Sequence, residues 1–347
     1  MTLSPLGDFA LPLHTLQPTD TDVSDLTRLR DLIGGARVVA VGESAHGVRE
    51  FYQLKHRLLR FLVGELGYTA FVMESGFAEG LAVNDWVLGG DGDLDDIART
   101  GITYGFGECA EMRAQLQWMR AWNAAHDRKV RFYGMDIPGS GASLIPAIRA
   151  CLARLQAGPE NTAVAGLETV GTHLGGITRY LTLSSAEALR VSEGIESLLD
   201  RARSQGNEVA VRCALSAQCL ARLAACQFQT EPGSNPRDEL MADTVHWILR
   251  REERILISAH NGHIQRSALH DRPMLGQILA PALGEDMVVL GTTYARGNLL
   301  RARSDESFTR IVDVALEPLE IPQPWSVDIT ARTRTQLQRL QWRESVS

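Results

Sequence analysis

Val38-Val39-Ala40-Val41-Gly42-Glu43-Ser44-Ala45-His46-Gly47 is the stretch on which the fold turns. An apolar, β-branched run ends in a short polar turn carrying a carboxylate, a hydroxyl and an imidazole. The run has no polar alternation, so it predicts a strand over Arg37–Val41 buried on both faces, as strands in parallel sheets are. Just downstream, Phe51, Leu54, Leu58, Phe61, Leu62 and Leu66 recur at helical spacing and predict a helix over Glu50–Leu66, closed by Gly67. The same unit then repeats. Thr69–Met73 reads as a strand ending at Glu74, Phe77–Leu88 as a helix, Ala110–His126 as another helix, and Val130–Met135 as a strand ending at Asp136. Arg254–Ser258, ending at Ala259-His260, and Met287–Gly291 complete the set. Strands alternating with helices predict an α/β fold with a mostly parallel central sheet flanked by helices.

Away from these units the pattern changes. Residues 1–22 read as an arm and 23–34 as a short helix with Asp22 or Ser24 as cap. Gly89-Gly90-Asp91-Gly92-Asp93-Leu94-Asp95-Asp96 departs from a calcium loop at its sixth and twelfth positions, so it reads as a solvated turn with helix-capping aspartates. Roughly 143–252 contains only helical periodicity (144–156, 184–204, 207–229 and 237–252) and is expected as a helical insertion lobe in a core of 23–142 plus 253–300. The whole of 1–347 is expected as one domain. Its tail, 301–347, is charged and turn-rich and shows no clear final strand.

Composition excludes several classes of function. The 347 residues are 44% hydrophobic and 22% charged, with a net charge of −7. An acidic chain is poorly matched to nucleic acid or anionic membrane, both polyanions. No apolar run reaches the roughly 18 residues that span a bilayer. The start carries no cationic leader, and the 5 cysteines lack CxxC spacing. Cys213, Cys219 and Cys226 are expected as small apolar residues on a helix, and a reducing cytoplasm fits.

In open parallel sheets ligands bind at the carboxyl ends of the strands. Here those ends present Glu43 and His46, then Glu74, then Asp136, then His260 and His263, all of which should share one rim. A serine nucleophile elbow is not met, because His46 stands where G-x-S-x-G needs its last glycine; Ser44 is expected to cap the next helix instead. There is no HExxH and no phosphate loop. What remains is general acid–base chemistry in which a carboxylate-held histidine takes a proton from water. Histidines beside carboxylates can also simply ligate, so a non-catalytic metal- or haem-binding module stays open. Lys55 either turns its ammonium to the rim or lies on a solvated helix face. His14, His126, His173, His246 and His270 read as surface or capping residues. Tyr104, Phe106, Met112, Trp118 and Met119 are candidates for the walls of an apolar substrate cleft, with core packing the competing reading.

At these residues the sequence resembles the erythromycin esterase family. The segments are VVAVGESAHG (38–47), EFYQLKHRLLRF (50–61), LGYTAFVMESGFAEG (66–80), GMDIP (134–138), RDELMAD (237–243) and AHNGHIQR (259–266). The resemblance implies a metal-independent carboxylic ester hydrolase that needs no cofactor and opens the lactone of fourteen-membered macrolides with a histidine-activated water. By position it makes His46 the general base, has Glu43 and Glu74 orient the base or the water, and completes the site with His260 and His263. The family usually has arginine where this chain has Lys55, which keeps the charge and loses the bidentate fork. Another ester or lactone is the alternative substrate. After about Gly297 the resemblance is expected to fade.

Overall fold

The computed structural model describes residues 13–156, 183–226 and 228–293, and the backbone of four strands beyond them. In chain order these are α1 (Thr27–Ile33), β1 (Val38–Val41), α2 (Arg49–Leu66), β2 (Ala70–Gly76), α3 (Phe77–Val87), α4 (Leu94–Gly101), α5 (Ala110–Ala125), β3 (Arg131–Asp136) and α6 (Ile145–Leu152). Then follow α7 (Ser185–Ser204), α8 (Glu208–Ala225), α9 (Pro236–Leu249), β4 (Ile255–Ser258), α10 (Asn261–Ile264), α11 (Leu275–Leu283) and β5 (Met287–Leu290). The last strands are β6 (Arg296–Ser304), β7 (Ile311–Glu320), β8 (Val327–Thr330) and β9 (Gln338–Leu340).

The sheet runs β3-β2-β4-β1-β5-β8-β9, and its first five strands are parallel. The inner parallel strands β1, β4 and β5 and the first half of β2 are apolar and buried because both faces are covered, while the edge strand β3 is only partly buried. Val38 and Ala40 of β1, with Val72, Ile257 and Val289, pack into one core with α6, α7, α8 and α9. Val39 and Val41, with Phe71, Leu256 and Val288, pack into a second core with α1, α2 and α5. The period-two alternation of strand side chains divides the two cores. The stretch expected as a lobe thus supplies the helices that cover one face of the sheet.

α2 begins at Val48, which makes no side-chain cap, and ends at Gly67, whose φ of 72° is the left-handed geometry expected at that position. Ser44 does not cap it: its Oγ is buried without a partner among the described residues. Asp93 does cap α4, accepting the N–H groups of Asp95 and Asp96. Asp22 Oδ1 accepts the Ser24 N–H before the single turn that leads into α1. Buried Cys213 and Cys219 lie in α8 as expected, whereas Cys226 is exposed at its end. His173 lies outside the described residues.

The tail differs most from expectation. β6 and β7 form an antiparallel hairpin, and β8 adds to the sheet antiparallel to β5 with β9 beyond it. Leu316 and the apolar residues beside it alternate too irregularly with Asp313 and Glu317 for the strand to be read locally. Its pairing with β6 supplies the order.

Candidate active site

The register of the parallel strands sets the rim. Val41 pairs with Ser258 and Leu290, and Met73 also pairs with Ser258, so β1, β4 and β5 end at one level, with Met73 of β2 beside them and β2 running on to Gly76. Glu74 is not past its strand, as expected from sequence, but within it. A register shift between Met73 and Gly76 inserts a bulge there, and such bulges re-aim side chains. Asp136 is likewise the last residue of β3.

The 42–47 turn is locked to the end of β4 and β5. Gly42 donates its N–H to Leu290 O, Asn261 donates its N–H to Glu43 O at 2.8 Å, and Thr292 Oγ1 donates to Gly42 O at 2.6 Å. Asn261 also exchanges hydrogen bonds with the Thr292 backbone. A side chain at position 42 would collide with Asn261 Oδ1, which is why the turn needs glycine.

Glu43 is buried and divides its two oxygens. Oε1 faces His46 Nδ1 at 2.7 Å and Oε2 accepts from Lys55 Nζ at 2.6 Å. Lys55 is therefore a buried member of the rim, not a solvated helix residue. Burial alone would push the Glu43 carboxyl up; the charge of Lys55 and the hydrogen bonds from His46 and Lys55 outweigh it and hold the carboxyl below its usual range. A carboxylate at Nδ1 places the proton there and leaves the lone pair on Nε2. The His46 side chain is 42% exposed, against 6% for the Glu43 that holds it.

A second group forms around Glu74. Its Oε1 accepts from Arg237 Nη2 at 3.1 Å and faces His263 Nε2 at 3.2 Å, and its Oε2 accepts the His260 N–H at 2.8 Å. Burial pushes this carboxyl up, but the hydrogen bond and charge of His263 and the charge of Arg237 hold it far below the usual range. Arg237 also forks onto Asp136, with Nε 2.9 Å from Oδ1 and Nη2 2.5 Å from Oδ2. His263 turns its other nitrogen to Asp238 Oδ1 at 2.8 Å.

His260 caps α10. Its Nδ1 accepts the Gly262 N–H at 3.0 Å, so the proton sits on Nε2, which donates to Ser44 O at 3.3 Å. Burial, then the charge of His46, lowers its pKa, consistent with a neutral ring. The His46 and His260 rings lie 5.2 Å apart, and the Phe106 ring lies 5.0 Å from that of His46. Tyr104 donates to Asp136 Oδ2 at 3.0 Å from a left-handed backbone with φ of 60°. Its N–H is held by Ser140 Oγ at 2.8 Å.

The structure thus brings together Glu43, His46, Lys55, Glu74, Tyr104, Phe106, Asp136, His260 and His263. It does not bring Met112, Trp118 and Met119 to this rim. Met112 and Met119 are fully buried in the core beneath α2, and Trp118 lies 5.6 Å from the His56 ring. Those three belong to the packing that competed with the cleft-wall reading. Arg237 and Asp238 were missed from strand ends because they come from a helix. The signal was Asn235-Pro236, a cap and first-turn pair that starts α9 and aims its opening residues at the rim. Among the described residues no group of three or more His, Cys, Asp or Glu is arranged to hold a metal ion.

Carboxylate-anchored imidazoles at the carboxyl end of a parallel sheet define an α/β protein with a polar, titratable rim. The sequence profile described as erythromycin esterase matches residues 63–320, beyond the point where resemblance was expected to fade. The chain belongs to the erythromycin esterase family, which places it among hydrolases. Erythromycin esterase type II of Escherichia coli is 30% identical over 327 residues, 84% of this chain and 76% of that protein. Erythromycin esterase type I of Escherichia coli is 22% identical over 299 residues, 78% of this chain and 72% of that protein. Of the solved structures, a Bacillus cereus protein superposes with a TM-score of 0.72 at 25% identity, covering 92% of this chain and 79% of the other. A mutant of the erythromycin esterase EreC in its open conformation has a TM-score of 0.69 at 20% identity, covering 89% and 82%, a likeness of fold. Among the described residues no helix is long and apolar enough to cross a membrane.

Proposed function

We propose that this chain hydrolyses the lactone ester of fourteen-membered macrolides, and so confers resistance to them, by attack of a water that His46 activates. The observation that carries this reading is the Glu43–His46 pair, a buried carboxylate 2.7 Å from Nδ1 of a half-exposed imidazole, the contact that would place the proton on Nδ1 and leave Nε2 to act as base. His46 takes a proton from water as the oxygen attacks the ester carbonyl. The tetrahedral intermediate then collapses, and the proton returns from His46 to the leaving alkoxide, giving an alcohol and a carboxylic acid on one opened chain; the acid then loses its proton to solvent. Arg237 and His263 both contact Glu74, which in turn accepts the His260 N–H and so fixes the β4 end beside His46. Phe106, beside His46, offers an apolar wall to a large apolar substrate.

Two features favour this water over other routes. Among the described residues Ser44 Oγ has no hydrogen-bond partner, so none of them acts as a base on it. Both nitrogens of His260 and both of His263 are engaged by protein groups, which supports a metal-independent reaction. A second reading keeps this chemistry and changes the ester, because Lys55 binds Glu43 through one nitrogen and has no fork for further contacts.

The test is a macrolide, lactone and aryl-ester panel read by mass spectrometry with wild type and His46→Asn. Wild type should add one water to erythromycin, and His46→Asn should be slower by about 10²-fold or more. Unchanged drug at high enzyme loading removes the macrolide reading, and turnover of another ester in the same panel supports the second. Full activity in His46→Asn removes the mechanism.

A further inference from the structure

Asp238 is outside the set of acids at the strand ends, yet its carboxylate is buried and fully subscribed. Oδ1 accepts the Leu275 N–H at 2.8 Å and faces His263 Nδ1 at 2.8 Å, and Oδ2 accepts from Asn235 Nδ2 at 2.9 Å. Its partners on three sides are thus nitrogens from α11, α10 and the residue that caps α9. Asp238 also lies in the first turn of α9, where the helix dipole favours a negative charge.

His263 stands between two carboxylates, with Nδ1 toward Asp238 and Nε2 toward Glu74. A carboxylate can only accept, so a ring whose two nitrogens both face carboxylates donates from both and is an imidazolium. We infer that Asp238 is a positioning residue that keeps His263 a permanent cation, and that this cation holds Glu74 ionised and aimed at the His260 backbone. His263 is then not a second general base. Its charge is structural to the site, and Asp238 acts through it without touching substrate.

The surrounding charges agree. On α9, Arg237 faces the same Glu74 oxygen, with Asp136 of β3 behind it; on the β4–α10 turn, neutral His260 lies beside His263, and His46 approaches from the β1 turn. Burial alone would lower the His263 pKa, but the hydrogen bonds from the ring to Asp238 and Glu74, and the charges of those two groups, raise it to about 10. Glu74 in turn has two cations on one oxygen and the His260 N–H on the other.

The role of Asp238 in turnover rests on the proposed hydrolysis; the charge state of His263 does not, and is measured without substrate. The experiment is a proton–nitrogen NMR titration of the histidine rings in the full chain, with His263→Gln used to assign the resonance. Wild-type His263 should stay doubly protonated from about pH 6 to about pH 9. In Asp238→Asn, which keeps an acceptor of the same shape, its midpoint should fall by about 1–3 pH units. The alkaline limb of kcat/KM should fall with it, and lowering the pH should restore activity, which a folding defect would not allow. A wild-type His263 that titrates near its ordinary value of about 6.5 overturns the inference whether or not the variant folds. So does an Asp238→Asn protein whose His263 midpoint and rate profile match wild type. If the titration behaves as expected while no ester is turned over, the inference about His263 stands and the proposed function fails.

Discussion

Replacing Lys55 with methionine tests the centre of the site most directly. Lys55 Nζ lies 2.6 Å from Glu43 Oε2, with both side chains only 6% exposed. At that separation and an effective dielectric of about 20 the gross attraction is about 6 kcal/mol. Part of it offsets the cost of burying the ammonium, which methionine does not incur. The net expectation is a loss of about 3–5 kcal/mol, as for other buried pairs broken from one side. The pH dependence has a definite sign. The folded Glu43 carboxyl is held below its usual range, so its pairing stabilises the fold above the unfolded pKa and is lost as pH falls through the folded one. Without Lys55, burial dominates, the carboxyl rises, and ionising it costs stability instead. Urea denaturation of Lys55→Met near pH 7 should show the loss, and the acid limb of kcat/KM should move to higher pH as Glu43 protonates and releases His46. Glu43→Gln combined with Lys55→Met should recover most of the stability and remain inactive, since no unpaired charge is left. A Lys55→Met protein within about 0.5 kcal/mol of wild type, with an unmoved acid limb, refutes the argument.

Two further substitutions probe the supports of the site. Glu79 is buried at its carboxyl, where Oε1 accepts the Gly139 N–H at 2.5 Å and Oε2 has no partner among the described residues. Burial raises its pKa from 4.5 to about 7, so the folded state keeps a proton that the unfolded chain loses; stability should fall between those pH values by at most about 3 kcal/mol and then level off. Glu79→Gln should abolish that slope in urea midpoints measured on either side of the window. Gly42→Ala should displace Asn261 from Thr292, cost about 1–3 kcal/mol in a thermal or urea melt, and lower kcat more than KM by shifting the Glu43–His46 turn.

The parallel sheet was legible because its strands are apolar on both faces, as Val38–Val41 is, and because strand and helix periodicities alternate cleanly. The rim was legible for the same reason: once strand ends are found, the residues after them must lie together. Lys55 could not be decided locally, since a lysine between Leu54 and His56 looks alike whether it meets solvent or a buried acid; only the 2.6 Å contact with Glu43, twelve positions away, separates the two. Arg237 and Asp238 reach the rim from the opposite direction, off a helix start, so a search restricted to strand ends passes them by. Met112 and Met119 were hidden differently. Large apolar residues near a cleft can line it or support it from below, and composition does not distinguish these cases. β8 escaped because its order comes from pairing with β5 over a long separation, not from its own alternation.

The strand order carries a consequence for how the chain is made. β4 lies between β1 and β2, although more than two hundred residues are synthesised after β1 before it appears. When β1, β2 and β3 have left the ribosome, the turn after β1 and the end of β2 have no strand to join them. Pairing β1 directly to β2 at that stage would have to be undone later. His46 can meet His260 only after the helices that cover one face have been threaded out, so the enzyme is completed late and folding is dominated by contacts distant in sequence, the regime in which it is slow and most exposed to aggregation. A nascent chain halted before Ile255 should therefore hold Glu43, His46 and Glu74 and still lack a working cleft.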